Sequence, residues 1–227
     1  MSKLNLNNIC FIIPSTTNGR DEWQSFEDTY LYNICLKTIP KDIKILIGYD
    51  KDDRILNSDI KLDNVEWVKF GYEYKGNPCG IWNELGHIAV AQGYEYIMTC
   101  GDDIQFPQNP EWLWMFINKL KDNKNIGYSA GWSNNDEIPT QFLIHKTHIE
   151  IFDNIFPKQI KNWQCDNYLY DLYKKYGNWM KEYHLLNCGG KPRYEPDNCI
   201  NLKNILVKKH RKILFQYLNK MNSESSI

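Results

Sequence analysis

Apolar and polar positions along the chain mark out an alternation of strands and helices. Ile9-Cys10-Phe11-Ile12-Ile13 is an unbroken apolar run stopped by Pro14. Lys44-Ile45-Leu46-Ile47-Gly48-Tyr49 is a second, ending at Asp50. Runs without alternation predict strands buried on both faces. The segment 23–36 between them reads as a helix, with Glu22, Glu27 and Asp28 placed early, where negative charge suits the helix dipole. The chain therefore opens β-α-β, which implies parallel strands and a right-handed crossover. Val65–Phe70 alternates and predicts a third strand. Residues 80–92 predict a helix with Trp82, Leu85, Ile88 and Ala89 on one face, and Tyr96–Thr99 a fourth strand running into Cys100-Gly101-Asp102-Asp103. A helix over 110–121 follows, with proline in its first turn. Strand-like segments stand at 126–130, 141–145 and 180–187, and short helices at 148–155 and 166–176. The last element is an amphipathic helix over 202–218, with Leu202, Leu206, Ile213 and Leu218 on its apolar face, before a polar tail.

Such alternation predicts an α/β nucleotide-binding layer, in which ligands sit at the carboxyl ends of the strands. Polar residues fall at those ends: Ser15, Thr16 and Thr17 after the first strand, Asp50 after the second, Asp102 and Asp103 after the fourth.

Composition narrows the class. The chain has 227 residues and formal net charge -1, with 42% hydrophobic residues. That is long enough for a sizeable core without disulfide staples. The near-neutral balance argues against a whole-protein electrostatic binder of nucleic acid. No apolar run approaches the roughly 18 residues a bilayer span needs, and no signal peptide is apparent at the N-terminus. The seven cysteines are odd in number and contain no Cys-x-x-Cys, so reduced structural thiols and a cytoplasmic location are expected.

The candidate chemistry centres on Asp102-Asp103. Adjacent carboxylates after a buried strand repel each other and lose hydration, which a cation or donor groups must offset. Mg²⁺ or Mn²⁺ is typically held by one or two carboxylates plus substrate phosphates, although Gly-Asp-Asp is also good turn sequence. Asp50 suits acceptance from a nucleobase N–H or a ribose hydroxyl, or else opens an Asx turn into Lys51-Asp52-Asp53-Arg54. Thr16, Thr17 and Arg20 follow the first strand. Arg20 is one of only four arginines, and a guanidinium fork is a natural phosphate ligand. Gly76-Asn77-Pro78-Cys79-Gly80 precedes a helix, whose N-terminus attracts phosphate, but no Gly-Lys-Ser/Thr follows to make a P-loop.

Taken together, Ile13-Pro14-Ser15-Thr16-Thr17-Asn18-Gly19-Arg20, Tyr49-Asp50, the helix bearing Asn83 and Gly101-Asp102-Asp103-Ile104 resemble the donor half of a GT-A-fold glycosyltransferase. Gly-Asp-Asp stands where that fold carries its Asp-x-Asp motif. Thr140–Ile149, Ile151-Phe152, Phe156-Pro157, Asn162–Asn167, Tyr183-His184 and Arg193-Tyr194 resemble one branch, the glucosyltransferases that modify hydroxymethyluracil in DNA and their relatives in large DNA viruses. The resemblance covers roughly residues 9–196. It implies an α/β GT-A (Rossmann-like) mixed sheet flanked by helices, a single domain with a donor half (1–105), an acceptor-binding and catalytic half (106–200) and a C-terminal basic helix and tail (201–227). It implies a hexosyltransferase using a UDP-sugar with Mn²⁺ or Mg²⁺, in the host cytoplasm or virion if viral. Pro14, Thr16, Thr17, Arg20, Asp50, Asn83 and Asp102 would face the donor, and Asp103 would hold the metal. His184 matches the late histidine that often completes the metal site, or is a core histidine. Gly101 departs from the motif, replacing its leading acid.

An inverting transfer needs a carboxylate to take the acceptor hydroxyl's proton. Asp166 is the candidate base, with a helix N-cap as the alternative. His145 and His148, three apart, are read as a strand end and a packing residue rather than a metal pair. Trp132, His148 and Trp163 are the candidates to line the acceptor cleft. The acceptor itself, whether modified DNA base, protein hydroxyl or glycan, is not encoded legibly. From Asn198 to Ser223 six basic residues meet no acid, which suits a polyanion or membrane surface, or else a solvated face. A nucleotidyltransferase acting on a sugar phosphate would share the layer and the aspartates, but carries a Gly-rich basic loop where this chain has only Gly19-Arg20. A non-catalytic binding module would be free to lose Asp102, Asp103 and His184, all of which are present.

Overall fold

The computed structural model describes residues 6–57, 61–189 and 199–224. Arg193 and Tyr194, quoted above for the resemblance, lie outside the described residues. The strands are β1 (Ile9–Ser15), β2 (Lys44–Asp50), β3 (Val65–Phe70), β4 (Tyr96–Thr99), β5 (Ile104–Gln105), β6 (Tyr128–Trp132), β7 (Phe142–His145), β8 (Gly177–His184) and β9 (Leu186–Asn187). The helices are α1 (Pro78–Ala91), α2 (Glu111–Asp122), α3 (Thr147–Phe152), α4 (Cys165–Leu172) and α5 (Ile200–Glu224).

Seven strands form one mixed sheet in the order β3-β2-β1-β4-β7-β6-β8, and β5 pairs with β9 in a separate ribbon. The block β3-β2-β1-β4 is parallel. β7 runs antiparallel to both β4 and β6, and β8 is parallel to β6. This is the mixed, helix-flanked sheet of the GT-A fold, in a single domain.

Because side chains alternate across a strand, β1 feeds two cores. Ile9, Phe11 and Ile13 pack with α2, where Phe11 meets the ring of Trp112 edge-on at 6.4 Å. Cys10 and Ile12 face the other way, among Leu85 and Ala89 of α1 and the apolar sides of α4 and α5. At Gly48 of β2 an added Cβ would lie 2.4 Å from Ile81 Cγ2. Glycine there lets the start of α1 press against the sheet, next to the strand ends where a ligand would sit.

The helix expected over 23–36 is broken into a 3₁₀ turn at Phe26–Asp28 and a π-helical stretch at Leu31–Leu36. Local polar side chains compete with the helical ladder. The Asp28 carboxylate accepts from the N–H groups of Gln24 (3.1 Å) and Ser25 (2.9 Å), and Thr29 Oγ1 donates to Phe26 O (2.7 Å). The α5 register also differs from the expected face. Lys203, Leu206, Val207 and Leu214 point inward while Leu202 is exposed, because Lys203 turns in to bind the Asp171 carboxylate. All seven cysteines are free thiols. Among the described residues no helix is long and apolar enough to cross a membrane.

Candidate active site

A cleft of about 220 Å³ opens at the carboxyl ends of β1, β2 and β4. Pro14, Ser15 and Thr16 line it from β1, Asp50 from β2, and Gly101 and Asp102 from the segment after β4. The start of α1 adds Pro78, Ile81 and Trp82, and the loop before α4 adds Asn162 and Trp163. Of the sequence candidates, the cleft thus gathers Pro14, Thr16, Asp50, Asp102 and Trp163. Pro78 belongs to the expected phosphate-attracting helix start, whereas Trp82 reads in the sequence as an ordinary packing position on the helix face. Its indole N–H in fact donates to Ile12 O at 3.2 Å, which stands the ring at the cleft wall.

The polar floor is built by cross-chain hydrogen bonds. Ser15 Oγ donates to Asp102 Oδ2 (2.7 Å), and Thr16 Oγ1 donates to Asp50 Oδ2 (2.8 Å). Thr17 does not line the cleft, since Asp53 takes both its donors. Thr17 N–H and Oγ1 reach the Asp53 carboxylate at 2.6 and 2.8 Å, and the N–H groups of Ile55 and Leu56 join at 3.0 and 2.8 Å. Asp53 is wholly buried, and sequence reasoning passed over it as part of a charged loop. A buried anion is tolerated where several N–H and O–H groups converge on it. It fixes the β1 and β2 loops to each other and so sets the Thr16–Asp50 pair. Asp53→Ala is expected to lower unfolding stability by at least about 2 kcal/mol, read by urea titration, since these donors lose a charged acceptor.

Asp103 follows Asp102 on the turn into β5. Its carbonyl accepts from Cys188 N at 2.9 Å. Its carboxylate stands between two glycines: a Cβ at Gly101 would come 2.8 Å from Oδ1, and one at Gly189 would come 1.7 Å from Oδ2. Gly101 therefore makes room for the carboxylate beside it, which gives a physical reason for the missing leading acid. Asp103 in such a cradle is a hard oxygen ligand of the kind a divalent cation takes together with substrate phosphates. His184 is exposed at the end of β8, its ring 5.1 Å from that of Trp132. In the β5–β9 ribbon Ile104 pairs with Asn187 and Gln105 with Leu186, so His184 is not the register neighbour of Asp103. Among the described residues no group of three His, Cys, Asp or Glu side chains assembles.

Asp166 is the second residue of α4, three positions after Trp163, and is not one of the residues that line the cleft. The helix N-cap is Gln164, at φ 70°, so the capping alternative for Asp166 is set aside. Desolvation of its carboxyl pushes its pKa up to about 7, and Cys165 Sγ, at 3.5 Å, opposes this weakly. A carboxylate poised there is matched to accepting a proton near neutral pH.

Four further candidates, Asn83, His148, Arg20 and Trp132, fall elsewhere. Asn83 is tied to the backbone of Phe156, accepting from its N–H at 2.8 Å and donating to its carbonyl at 2.9 Å. Its amide is spent on holding the 153–160 loop against α1. His148 is a core residue: Tyr173 OH donates to Nδ1 (2.7 Å), and Nε2 donates to Ile155 O (2.9 Å). Burial pushes its pKa down to about 4, and at 2% exposure it lines no cleft. Arg20 lies against Trp23 and Tyr30, 5.3 and 5.8 Å from their ring centres, with Glu22 at 3.8 Å. Trp132 stands outside the cleft, its N–H donating to Asp136 at 2.8 Å. His145 ends β7 with Nδ1 2.7 Å from Thr147 Oγ1. The start of α1 also offers no spare amide. Cys79 N–H donates to Lys161 O, Gly80 N–H to Asn77 Oδ1, and Ile81 N–H to Asn77 O.

No protein-family model and no curated protein matches the chain. Solved structures do. Staphylococcus aureus TarS 1–349 in complex with UDP-GlcNAc is 13% identical with a TM-score of 0.58, over 89% of this chain and 66% of that one. The mannosyltransferase PcManGT from Pyrobaculum calidifontis, in complex with GDP-Man and Mn²⁺, is 12% identical with a TM-score of 0.57, over 82% and 58%. The chain spans less than two thirds of the length of either, and the likeness is one of fold.

Proposed function

We propose that the chain transfers a sugar, a hexose such as glucose, from a UDP-sugar to an acceptor hydroxyl with inversion at the anomeric carbon. The observation that carries this reading is the convergence of Thr16, Asp50 and Asp102 on one cleft at the sheet's carboxyl edge, where an α/β layer binds nucleotides. The neighbours solved with UDP-GlcNAc and with GDP-Man and Mn²⁺ support a nucleotide-sugar donor. Residues 1–105 form the donor half in this reading and 106–200 the acceptor half.

Asp50 accepts from the base N–H while Thr16 holds its other valence. Asp102, oriented by Ser15, faces ribose or the donor sugar. Trp163 and the edge of Trp82 cover the sugar and exclude water. A divalent cation, Mn²⁺ or Mg²⁺, would be held by Asp103 with His184 as the second candidate ligand, and would supply charge neutralisation for the departing diphosphate. Asp166 takes the proton of the attacking hydroxyl. The branch resemblance adds hydroxymethyluracil in DNA to the acceptors to be assayed, in a cytoplasmic or virion setting.

Thermal shift with UDP, GDP and UDP-sugars, with and without Mn²⁺, tests the donor site. A nucleotide at about 100 times its Kd adds roughly 2.7 kcal/mol. The expected outcome is a Mn²⁺-dependent shift with UDP that Asp103→Ala abolishes. No shift with any nucleotide overturns the reading.

A further inference from the structure

We propose that the outer face of α5, with the turn between α4 and β8, docks on an anionic lipid membrane surface. This surface is separate from the cleft, and the proposal does not depend on sugar transfer.

One exposed stripe of α5 carries Ile205, Lys208, Lys212 and Phe215. Their spacing of 3, 4 and 3 residues keeps them on one side of the helix, along about 15 Å of its axis. Ile205 is 66% exposed and Phe215 64%. The side of α5 packed on α3 and α4 is already supplied by Leu206, Val207 and Leu214, so neither residue is needed for the helix to seat. Beside Phe215 a groove of about 370 Å³ opens toward the α4–β8 turn. Leu214 and Leu218 line it on one side, and Lys174, Lys175 and Arg211 rim it. The groove and the stripe share Phe215, so they form one surface.

Among the described residues no ion pair engages Lys208 or Lys212, and the acid facing α5 from α3, Glu150, stands on the side of Tyr217. The helix has no acid from Ile200 to Asn222. Asp171, beside it on α4, is half-buried and bound by Lys203, and Glu224 lies 3.8 Å from Lys220 at the far end. A field of exposed lysines attracts any polyanion. The interleaved aliphatic and aromatic side chains decide between the candidates. Ile205 gains nothing from a phosphodiester backbone. At a bilayer interface Ile205 and Phe215 enter the acyl boundary while the lysines settle on the headgroup phosphates.

The full chain is sedimented with vesicles of phosphatidylcholine alone and of phosphatidylcholine mixed with phosphatidylserine, at low and high salt, beside duplex DNA. Binding is expected only to the phosphatidylserine vesicles, weakening as salt rises. Lys208→Glu with Lys212→Glu lowers that partition at least about 30-fold. Ile205→Ser with Phe215→Ser lowers it at least about tenfold without lowering Tm, since both side chains face water. Equal binding to both vesicle types, or binding to neither, overturns the proposal. Duplex DNA bound equally well by the wild type and the serine variant, with no vesicle binding, overturns it in favour of a nucleic-acid surface.

Discussion

Turnover of Asp166→Asn is expected to fall about 10²–10⁴-fold, the usual share of a positioned general base, while UDP affinity stays unchanged because Asp166 lies outside the donor floor. Where no acceptor is in hand, release of UDP by donor hydrolysis reports the same step. With Asp166 as the base, wild-type turnover is expected to rise with pH and level off above about 7, where the raised carboxyl loses its proton. The linkage runs the other way for stability. Burial raises the folded-state pKa from 3.8 to about 7, so the native chain keeps a proton that the unfolded chain releases between those values. The stability this lends is full below the unfolded pKa and lost as pH climbs through 7. Asp166→Asn is therefore expected to melt higher than wild type above neutral pH and alongside it in acid. A variant that retains turnover within tenfold, or that melts lower at every pH, removes Asp166 from the mechanism.

Asn83→Ala is expected to cost about 2–4 kcal/mol of unfolding free energy, because it strands both the N–H and the carbonyl of Phe156 inside the protein. Urea titration reads this loss directly. At temperatures where the variant is folded, the Kd for UDP should move far less than it does in Asp50→Ala. A large rise in Kd with stability intact would return Asn83 to the donor site.

These two residues mark what the sequence displays and what it hides. The strands β1 and β2 are plain in it, because a β-branched apolar run closed by Pro14 or Asp50 admits few other readings. The cleft's position follows, since the polar clusters after β1, β2 and β4 must meet at one sheet edge. Strand direction beyond β4 does not follow: Phe142–His145 is as apolar as a parallel strand, and only its pairing with Tyr96–Thr99 makes it antiparallel. Side-chain hydrogen bonds between distant segments are equally hidden. Asn83 and Phe156 are 73 residues apart, and Asp53 and Thr17 are 36 apart. Nothing local distinguishes an asparagine that pins a loop from one that meets a ligand, or a buried acid from its exposed neighbour Asp52. The broken segment 23–36 failed differently. Its apolar spacing was helical, and short-range bonds from Asp28 and Thr29 outcompeted the ladder.

The reversal of direction at β4 also governs how the protein is made. A ribosome delivers β1 through β4 as a parallel set, in order and with helical cover from α1. The free edge of β4, Tyr96–Thr99, must then wait while α2 and β6 emerge before β7 arrives to close it. During that interval the growing chain presents a buried-type, uncharged strand edge, the kind of template on which nascent chains pair with one another. Slow emergence of residues 100–141 from the ribosome would prolong that exposure, whereas slow emergence of the chain after His145 would not. The cost of the mixed sheet is thus borne in time, at translation, rather than in the finished fold.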